Sequence, residues 1–543
     1  MRKSFVAMAF AAVMGVVGLG VVGLGVAGLY ATAADAQTPR RGGTIRFTAP
    51  YGSSFASLDI HTTPRSQDEI WARAIHRTLY SWDANANKPV LELAREAQVS
   101  GDGLVHTFKL RDDAYFHNGR RMTADDIIWT YTRLMDASKA FPGARYARII
   151  KGAVEVEKGQ AREISGLRKI DDFTLEMTLT EKVDPAFNFF QATTSIYPQG
   201  EGNSEAFLSR PIGLGPYKFV EYVPGSRLVA ERWERYYKPG RPYADRVVIS
   251  IMGEAAARDV AFRSREIDAS ILGAAQYVAY RGDAQLARGL LEVPEVFTRS
   301  IGMNPSFKPF ADRRVRQAIA YAIDADLIIK RLLREKAFRA TSWLPISSPA
   351  YDPALRPYAH DPAKARQLLT EAGYPNGFEF EFTATANESW GIVVVEAIIP
   401  MLQRVGIRAT IKPVESTVLA EVLRNGQYQA FMYSMSSGPD PATALRCFHS
   451  ATPQSACNYA LFRNADFDRA LDEAGRTDDQ AKRLELLRRA NAILYEELPF
   501  WFFNYNKAVM AYQPWVHGLQ PNATELAVQN YEDIWIDETS PAK

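Results

Sequence analysis

The sequence predicts an α/β protein of two or three domains, and three observations carry that prediction. First, 543 residues are more than one compact core usually holds. Second, 47% hydrophobic and 23% charged residues are ordinary for a soluble globular chain. Third, strand and helix patterns alternate in the second half. Phe378, Phe380 and Phe382 alternate as a strand, Gly391 to Val405 has a helical pattern, and Ala409 to Pro413 is again a strand. Such alternation predicts parallel α/β layers.

The N-terminus differs from the rest. Arg2 and Lys3 precede an uncharged run from Phe5 to Tyr30, and Ala34-Asp35-Ala36 forms a small-x-small step. This pattern predicts a signal peptide over residues 1–36 with Gln37 as the mature start. The run is also long enough to span a bilayer, so a retained anchor is the competing reading. No cysteine near the step allows a lipid anchor, and the lack of a twin-Arg pair favours Sec export.

Lys+Arg number 64 and Asp+Glu 62, a net charge of +2 that does not favour a nucleic-acid partner. Cys447 and Cys457 are the only cysteines. In an oxidising compartment such a close pair predicts a disulfide, and two unpaired core thiols are the other reading. A metal site would find only His449 nearby, which leaves the shell incomplete.

From the start of the mature chain, Gly42 to Phe47 reads as a first strand and Ile70 to Tyr80 as an amphipathic helix. Val105 to Leu110 reads as a strand and His117-Asn118-Gly119 as a tight turn. Thr123 opens a helix with Asp125 and Asp126 in its first turn, where negative charge suits the helix dipole. Leu175, Met177 and Leu179 alternate as a strand, with residues 169–173 as the turn before it. Tyr217 to Tyr222 and Leu228 to Arg232 form a hairpin around Pro224-Gly225. Val247 to Met252 is a strand and Ala255 to Arg265 a helix. Asp312 caps a helix expected to run to about Lys336, with Val315, Ile319, Ala322 and Ile323 on its core face. Residues 465–474 and 478–496 are two late helices, and the aromatic run Phe500 to Phe503 with Tyr505 follows Pro499.

Residues 101–134, GDGLVHTFKLRDDAYFHNGRRMTADDIIWTYTRL, resemble a characteristic segment of the family 5 extracytoplasmic solute-binding proteins, the peptide and nickel class of importer receptors. The blocks IGLGPYKF at 212–219, PGSRLVAER at 224–232 and FADRRVRQAIAYAID at 310–324 are similar to that family too. Leu214 stands where the family has Thr, and Tyr237 where it usually has Trp. The resemblance implies a two-lobed periplasmic-binding-protein fold of type II, in the large class with an extra subdomain in the first lobe. It implies a first lobe over 43–300, a second over 301–505, and a return to the first over 506–543. It further implies a monomer that captures a peptide or peptide-like solute and docks on an inner-membrane ABC permease with its ATPases.

An enzyme would need a nucleophile with its base, or a metal. The sequence shows no G-x-S-x-G, H-E-x-x-H, P-loop or S-x-x-K with partner motifs, and its seven histidines are scattered singly. Gly213-x-Gly215 is no phosphate loop, because Pro216 removes a donor and a strand follows. No catalytic residue, metal or cofactor is expected. An exported peptidase whose groups converge only in space is the alternative, as is a receptor for a metal complex, a tetrapyrrole or an oligosaccharide.

Candidate ligand residues come from the resemblance. YSMSSGPDPATALR, residues 433–446, is similar to the family's W-x-x-D-x-x-D-P ligand loop, in which the first Asp receives a peptide's amino terminus. Here Tyr433 or Ser434 stands near the Trp position and Ser437 at the first Asp. A hydroxyl cannot neutralise an ammonium group, so simple dipeptide recognition is not expected. Asp440 either takes over that role or fixes its turn before Pro441. Arg446 is a candidate cation. Residues 383–390 have no Arg for a ligand carboxylate, and Asn387, Glu388 and Trp390 follow a strand end. Trp390 either covers an apolar or ring-shaped group or belongs to the core. Tyr51, Ser53, Ser54 and residues 62–65, including Thr63, lie in loops that face the cleft in relatives.

Overall fold

The computed structural model describes residues 38–49, 54–63, 65–385, 391–477 and 479–542, and Arg40–Lys543 forms one compact unit. The expected leader, Tyr51, Asn387, Glu388 and Trp390 lie outside the described residues.

One eleven-stranded sheet runs through the unit. Its order is 408–413, 379–384, 430–436, 290–303, 500–512, 269–271, 44–48, 246–250, 227–232 and 217–223, with Ala337–Arg339 paired onto the 500–512 strand. The expected parallel layer is present at 379–384, 408–413 and 430–436, within a sheet that is mixed as a whole. Glu379–Ala384 lies parallel to Arg408–Pro413 and Ala430–Ser436, and Thr44–Thr48 lies parallel to Arg246–Ser250 and Ala269–Ile271. The other pairs are antiparallel. Short turns such as 224–226 return the chain beside itself, which only antiparallel strands permit.

Leu290–Met303 and Phe500–Tyr512 hold the two halves together. At 14 and 13 residues each reaches roughly 45 Å, long enough to serve both. At one end they pair with each other next to Ala269–Ile271, and at the other the 290–303 strand pairs with Ala430–Ser436. The expected lobe limits at 300/301 and 505/506 fall inside these two strands.

Alternation along the second-half strands splits its core between two faces. Ile301, Met303, Phe382, Met432, Trp501 and Phe503 face the helices Arg313–Ala322 and Ile392–Gln403. Phe431, Phe500, Phe502 and Tyr505 face Ser416–Arg424, Pro441–Arg446, Ala465–Arg476 and Gln480–Glu497. The first half packs Ile45, Phe47, Trp71, Tyr217 and Ile249 against the C-terminal residues Leu526, Tyr531 and Ile534.

A separate four-stranded sheet, ordered 94–99, 105–110, 174–178 and 167–171, carries the helix Ala124–Leu134 and its own core. The turn expected over 169–173 is shorter, because residues 167–171 pair as a strand with 174–178. A buried polar cluster joins this part to the C-terminal segment. Arg77 Nη2 donates to Glu532 at 2.7 Å and its guanidinium lies 3.4 Å from Glu92. Lys238 Nζ bonds both carboxylates at 3.0 Å, and the Tyr236 and Tyr237 hydroxyls donate to Glu532 and Glu92. The Arg77 and Lys238 cations hold the Glu532 carboxyl far below its ordinary value despite burial.

Two helices differ from expectation. The first spans Ser66–Ile75, earlier than read, and Tyr80 opens a strand. The helix after Asp312 ends at Ala322, and Asp324 caps a new one over Ala325–Arg331 by accepting from the Leu327 amide. The core-facing pattern runs through this break, so apolar spacing alone does not mark it. Asp324 marks it, because a short carboxylate side chain competes for backbone amides.

Candidate ligand-binding site

The segment 101–134 is built for rigidity. Thr123 caps the helix in a full capping box with Asp126, whose carboxylate accepts from the Thr123 amide at 2.8 Å and the Gln199 amide at 2.7 Å. Arg120 pairs with the same carboxylate. The His117 ring is clamped between two backbone groups: its Nε2 donates to the Gly215 carbonyl at 3.0 Å and its Nδ1 accepts from the Gly213 amide at 3.3 Å. A Cβ at Gly213 would sit 2.0 Å from the Ile75 carbonyl oxygen, so glycine is required by this close approach. Burial pulls the His117 imidazole down to about 4.

Arg133, at the far end of the helix, enters a buried group with Asp59, His61 and Tyr197. Its Nη2 donates to Asp59 Oδ2 at 2.6 Å and its Nη1 to His61 Nδ1 at 2.6 Å, while His61 Nε2 donates to the Ser195 carbonyl at 2.7 Å. The His61 ring stacks on Tyr197 at 3.9 Å, and burial pulls its imidazole down to about 4. The neutral ring suits these partners, because one nitrogen must accept while the other donates. Nearby Thr63 is buried, with its hydroxyl donated to Asp68 Oδ2 at 2.7 Å and its oxygen accepting from the Arg65 amide. That hydroxyl fixes its own loop.

The segment 433–446 begins on the strand Ala430–Ser436. Tyr433 lies opposite Ser300 and is half-buried against the second-half core. Burial raises its phenol, and the Arg424 guanidinium offsets part of that rise. Ser437 is buried and donates both its amide, at 2.7 Å, and its hydroxyl, at 2.9 Å, to the Val296 carbonyl. Asp440 caps the helix Pro441–Arg446 by accepting from the Ala442 and Thr443 amides and the Thr443 hydroxyl, and it pairs with Arg483 at 3.2 Å. Arg446 is exposed, and among the described residues nothing pairs with its guanidinium.

Cys447 follows directly and is bonded to Cys457, with Sγ atoms 2.13 Å apart. The closed loop is fastened to the end of the Ser416–Arg424 helix, where Gln454 Nε2 donates to the Leu423 carbonyl at 3.3 Å and the Tyr428 hydroxyl to the Tyr459 carbonyl.

The structure therefore brings Tyr433, Ser437, Asp440 and Arg446 onto one stretch of the second half and places Thr63 in the first. Ser437 and Asp440 are both engaged by protein groups. Sequence reasoning missed those partners: Val296 and Arg483 lie 141 and 43 residues away, beyond the reach of local patterns. It also missed Arg424, an exposed helix-end cation with no motif to mark it.

Among the described residues no group of three His, Cys, Asp or Glu could hold a metal ion, and no helix is long and apolar enough to cross a membrane.

The heme-binding protein A of Haemophilus influenzae is 29% identical over 431 residues, covering 75% of this chain and 77% of that protein. The dipeptide-binding protein of Escherichia coli K12 is 26% identical over 454 residues, covering 78% of this chain and 82% of its own length. Among solved structures, the ABC transporter-associated periplasmic binding protein DppA of Helicobacter pylori, in complex with the peptide STSA, superposes with a TM-score of 0.73 at 22% identity. It covers 92% of this chain and 99% of its own. The model of the bacterial extracellular solute-binding proteins, family 5, matches residues 88–456, and the chain belongs to that family.

Proposed function

We propose that this protein is the periplasmic solute-binding component of an ABC importer. It takes a peptide or peptide-like solute between two lobes, residues 43–300 with 506–543 and residues 301–505, and delivers it to an inner-membrane permease. Residues 1–36 are removed on export and the mature protein works as a monomer without catalytic activity. Family membership supports the receptor reading. The observation that carries the finer reading is the state of the 433–446 segment. The Asp440 carboxylate is spent on a helix cap and Arg483, and the Ser437 hydroxyl on Val296. A free ammonium buried here would lack a carboxylate partner, which is costly. The solute is therefore a longer or modified peptide-like molecule and not a free dipeptide held by its amino terminus. Tyr433 and Arg446 contact it, together with Tyr51, Asn387, Glu388 and Trp390.

Native mass spectrometry of the purified protein tests this reading by revealing a co-purified solute. Calorimetry with dialanine, glutathione and haem then sorts the classes. Glutathione or a longer peptide binding more tightly than dialanine supports the proposal. Tight dialanine binding that is lost on Ser437→Ala overturns it, and cleavage of an added peptide would favour the peptidase alternative. Sequencing the mature N-terminus from Gln37 tests export processing.

A further inference from the structure

The two connecting strands are not regular along their length. Leu290 to Pro294 pair in step with Ala511 to Lys507, and pairing resumes at Thr298 with Tyr505. Between them the register shifts, so residues 295–297 leave this ladder. Pro294 contributes no amide to it, and such irregularities bend a strand and sharpen its twist.

The displaced residues are held by segments from opposite halves. The buried Glu295 carboxylate accepts from the Leu526 amide at 2.8 Å and from Asn506 Nδ2 at 2.5 Å. The Val296 amide donates to the Ala523 carbonyl at 2.9 Å. Ala523 and Leu526 belong to the first-half core. The Val296 carbonyl points the other way and takes both Ser437 donors, and Phe297 pairs with Ser436. A single residue thus carries a contact to the first half on its amide and a contact to the second on its carbonyl. Asn506 continues the line by accepting from Arg299 Nη2 at 2.8 Å, and Arg299 Nη1 donates to Asn504 at 3.4 Å.

We propose that Pro294–Thr298 is the bend about which the two lobes turn, and that Ser437 and Glu295 are positioning residues that fix the bend from either side. Ser437 stands inside the 433–446 segment. It therefore ties the wall facing the solute directly to the pivot, so that a solute displacing this wall changes the lobe angle. This inference rests on the reading of the chain as a two-lobed receptor, but it concerns the lobe equilibrium and not the identity of the solute. Ser437 acts through Val296 and touches no solute.

The test measures lobe separation without added solute. Spin labels on Val260→Cys and Leu327→Cys, both exposed and in opposite halves, report the distance by pulsed dipolar spectroscopy. The native cysteines are paired and take no label. Ser437→Ala is expected to lower the ratio of the main separation to all others about fivefold, the size of one ordinary hydrogen bond. Ser437→Thr keeps the hydroxyl and is expected to restore it. Glu295→Gln keeps the volume but offers one acceptor to two converging donors, so it is expected to shift the ratio in the same direction. Lys139→Ala, at an exposed position away from the bend and the 433–446 segment, is the control and is expected to leave it unchanged. Distributions for Ser437→Ala and Glu295→Gln that match the unchanged protein would overturn the proposal, as would equal shifts in the Ala and Thr variants. If Ser437→Ala does not fold, Glu295→Gln against Lys139→Ala decides alone. Calorimetry with glutathione and dialanine on the same proteins separates the two readings: a lobe shift without binding of either probe leaves the bend standing while the peptide reading fails.

Discussion

The helix Ala124–Leu134 and the helix Pro441–Arg446 both begin at a side-chain cap, but their caps are enclosed differently. Asp126 is fully buried and serves its own helix start, the Gln199 amide and Arg120 at once. Asp440 serves its helix start and a single cation from a neighbouring helix, at the edge of the core. Arg133 at the end of the first helix is locked among Asp59, His61 and the Gly202 carbonyl, whereas Arg446 at the end of the second is exposed. The first helix is locked by its own terminal arginine, whereas the second is held at its end by the adjacent disulfide and leaves its arginine free. Rigidity at 124–134 suits a scaffold, and a guanidinium left free at 446 suits a surface that meets something else.

Acid should separate the two regions most strongly. His61 is held near 4, mainly by burial, against an ordinary value of 6.5. As pH falls, the unfolded chain takes up this proton first, so stability is full above 6.5 and is lost as pH drops toward 4. The loss approaches about 3 kcal/mol for this one imidazole. Urea unfolding at pH 7, 5 and 4, compared between the protein and His61→Gln, measures it by difference. Hydrogen exchange at pH 5 should open residues 59–61 and 124–134 before 441–446, and the reverse order would break the comparison.

Reducing the disulfide should weaken the other side. Opening the 447–457 loop is expected to cost about 2–3 kcal/mol in the chain-entropy description. The melting temperature in the presence of a reductant reads the total. Exchange should rise at 441–460 and stay unchanged at 124–134.

Asp126→Ala comes next, at about 2 kcal/mol, because the capping box is lost and the Gln199 amide is left without its acceptor. Asp126→Asn should recover part of this, since an amide oxygen still caps. A loss below 0.5 kcal/mol on chemical denaturation, within the usual range for surface changes, would show that the enclosure of this cap carries no stability.

How much of this was legible in the sequence follows from the reach of each interaction. The hairpin 217–232, the strand 105–110 and the helix opened by Thr123 are set by neighbours a few residues apart, and their patterns read correctly. The Arg77 cluster was invisible because Arg77 and Glu532 lie 455 residues apart, and no local pattern distinguishes a buried Arg from a surface one. In the 433–446 segment the motif position of Ser437 was legible, but its engagement with Val296 was not. That bond depends on where a distant strand leaves its ladder. The resemblance pointed to the segment, and only the fold showed which of its polar groups were already taken.

The smallest expected effect is the most informative about the solute. Asp440→Asn keeps an oxygen for the Ala442 and Thr443 amides, so the helix start survives, but it removes the charge that faces Arg483. That pair is mostly buried, with side-chain exposures of 13% for Asp440 and 24% for Arg483. The loss should be about 1 kcal/mol or less, because the amide still caps and Arg483 keeps contact with water. If the carboxylate is purely structural, calorimetric affinity for glutathione changes less than threefold and its pH dependence is unaltered. If Asp440 instead leaves Arg483 to receive a solute's ammonium group, affinity for a peptide with a free amino terminus falls tenfold or more, while affinity for the N-acetylated peptide does not change. That second pattern would make the 441–446 helix start a ligand group after all, and would remove the distinction between a cap that only builds and a cap that also binds.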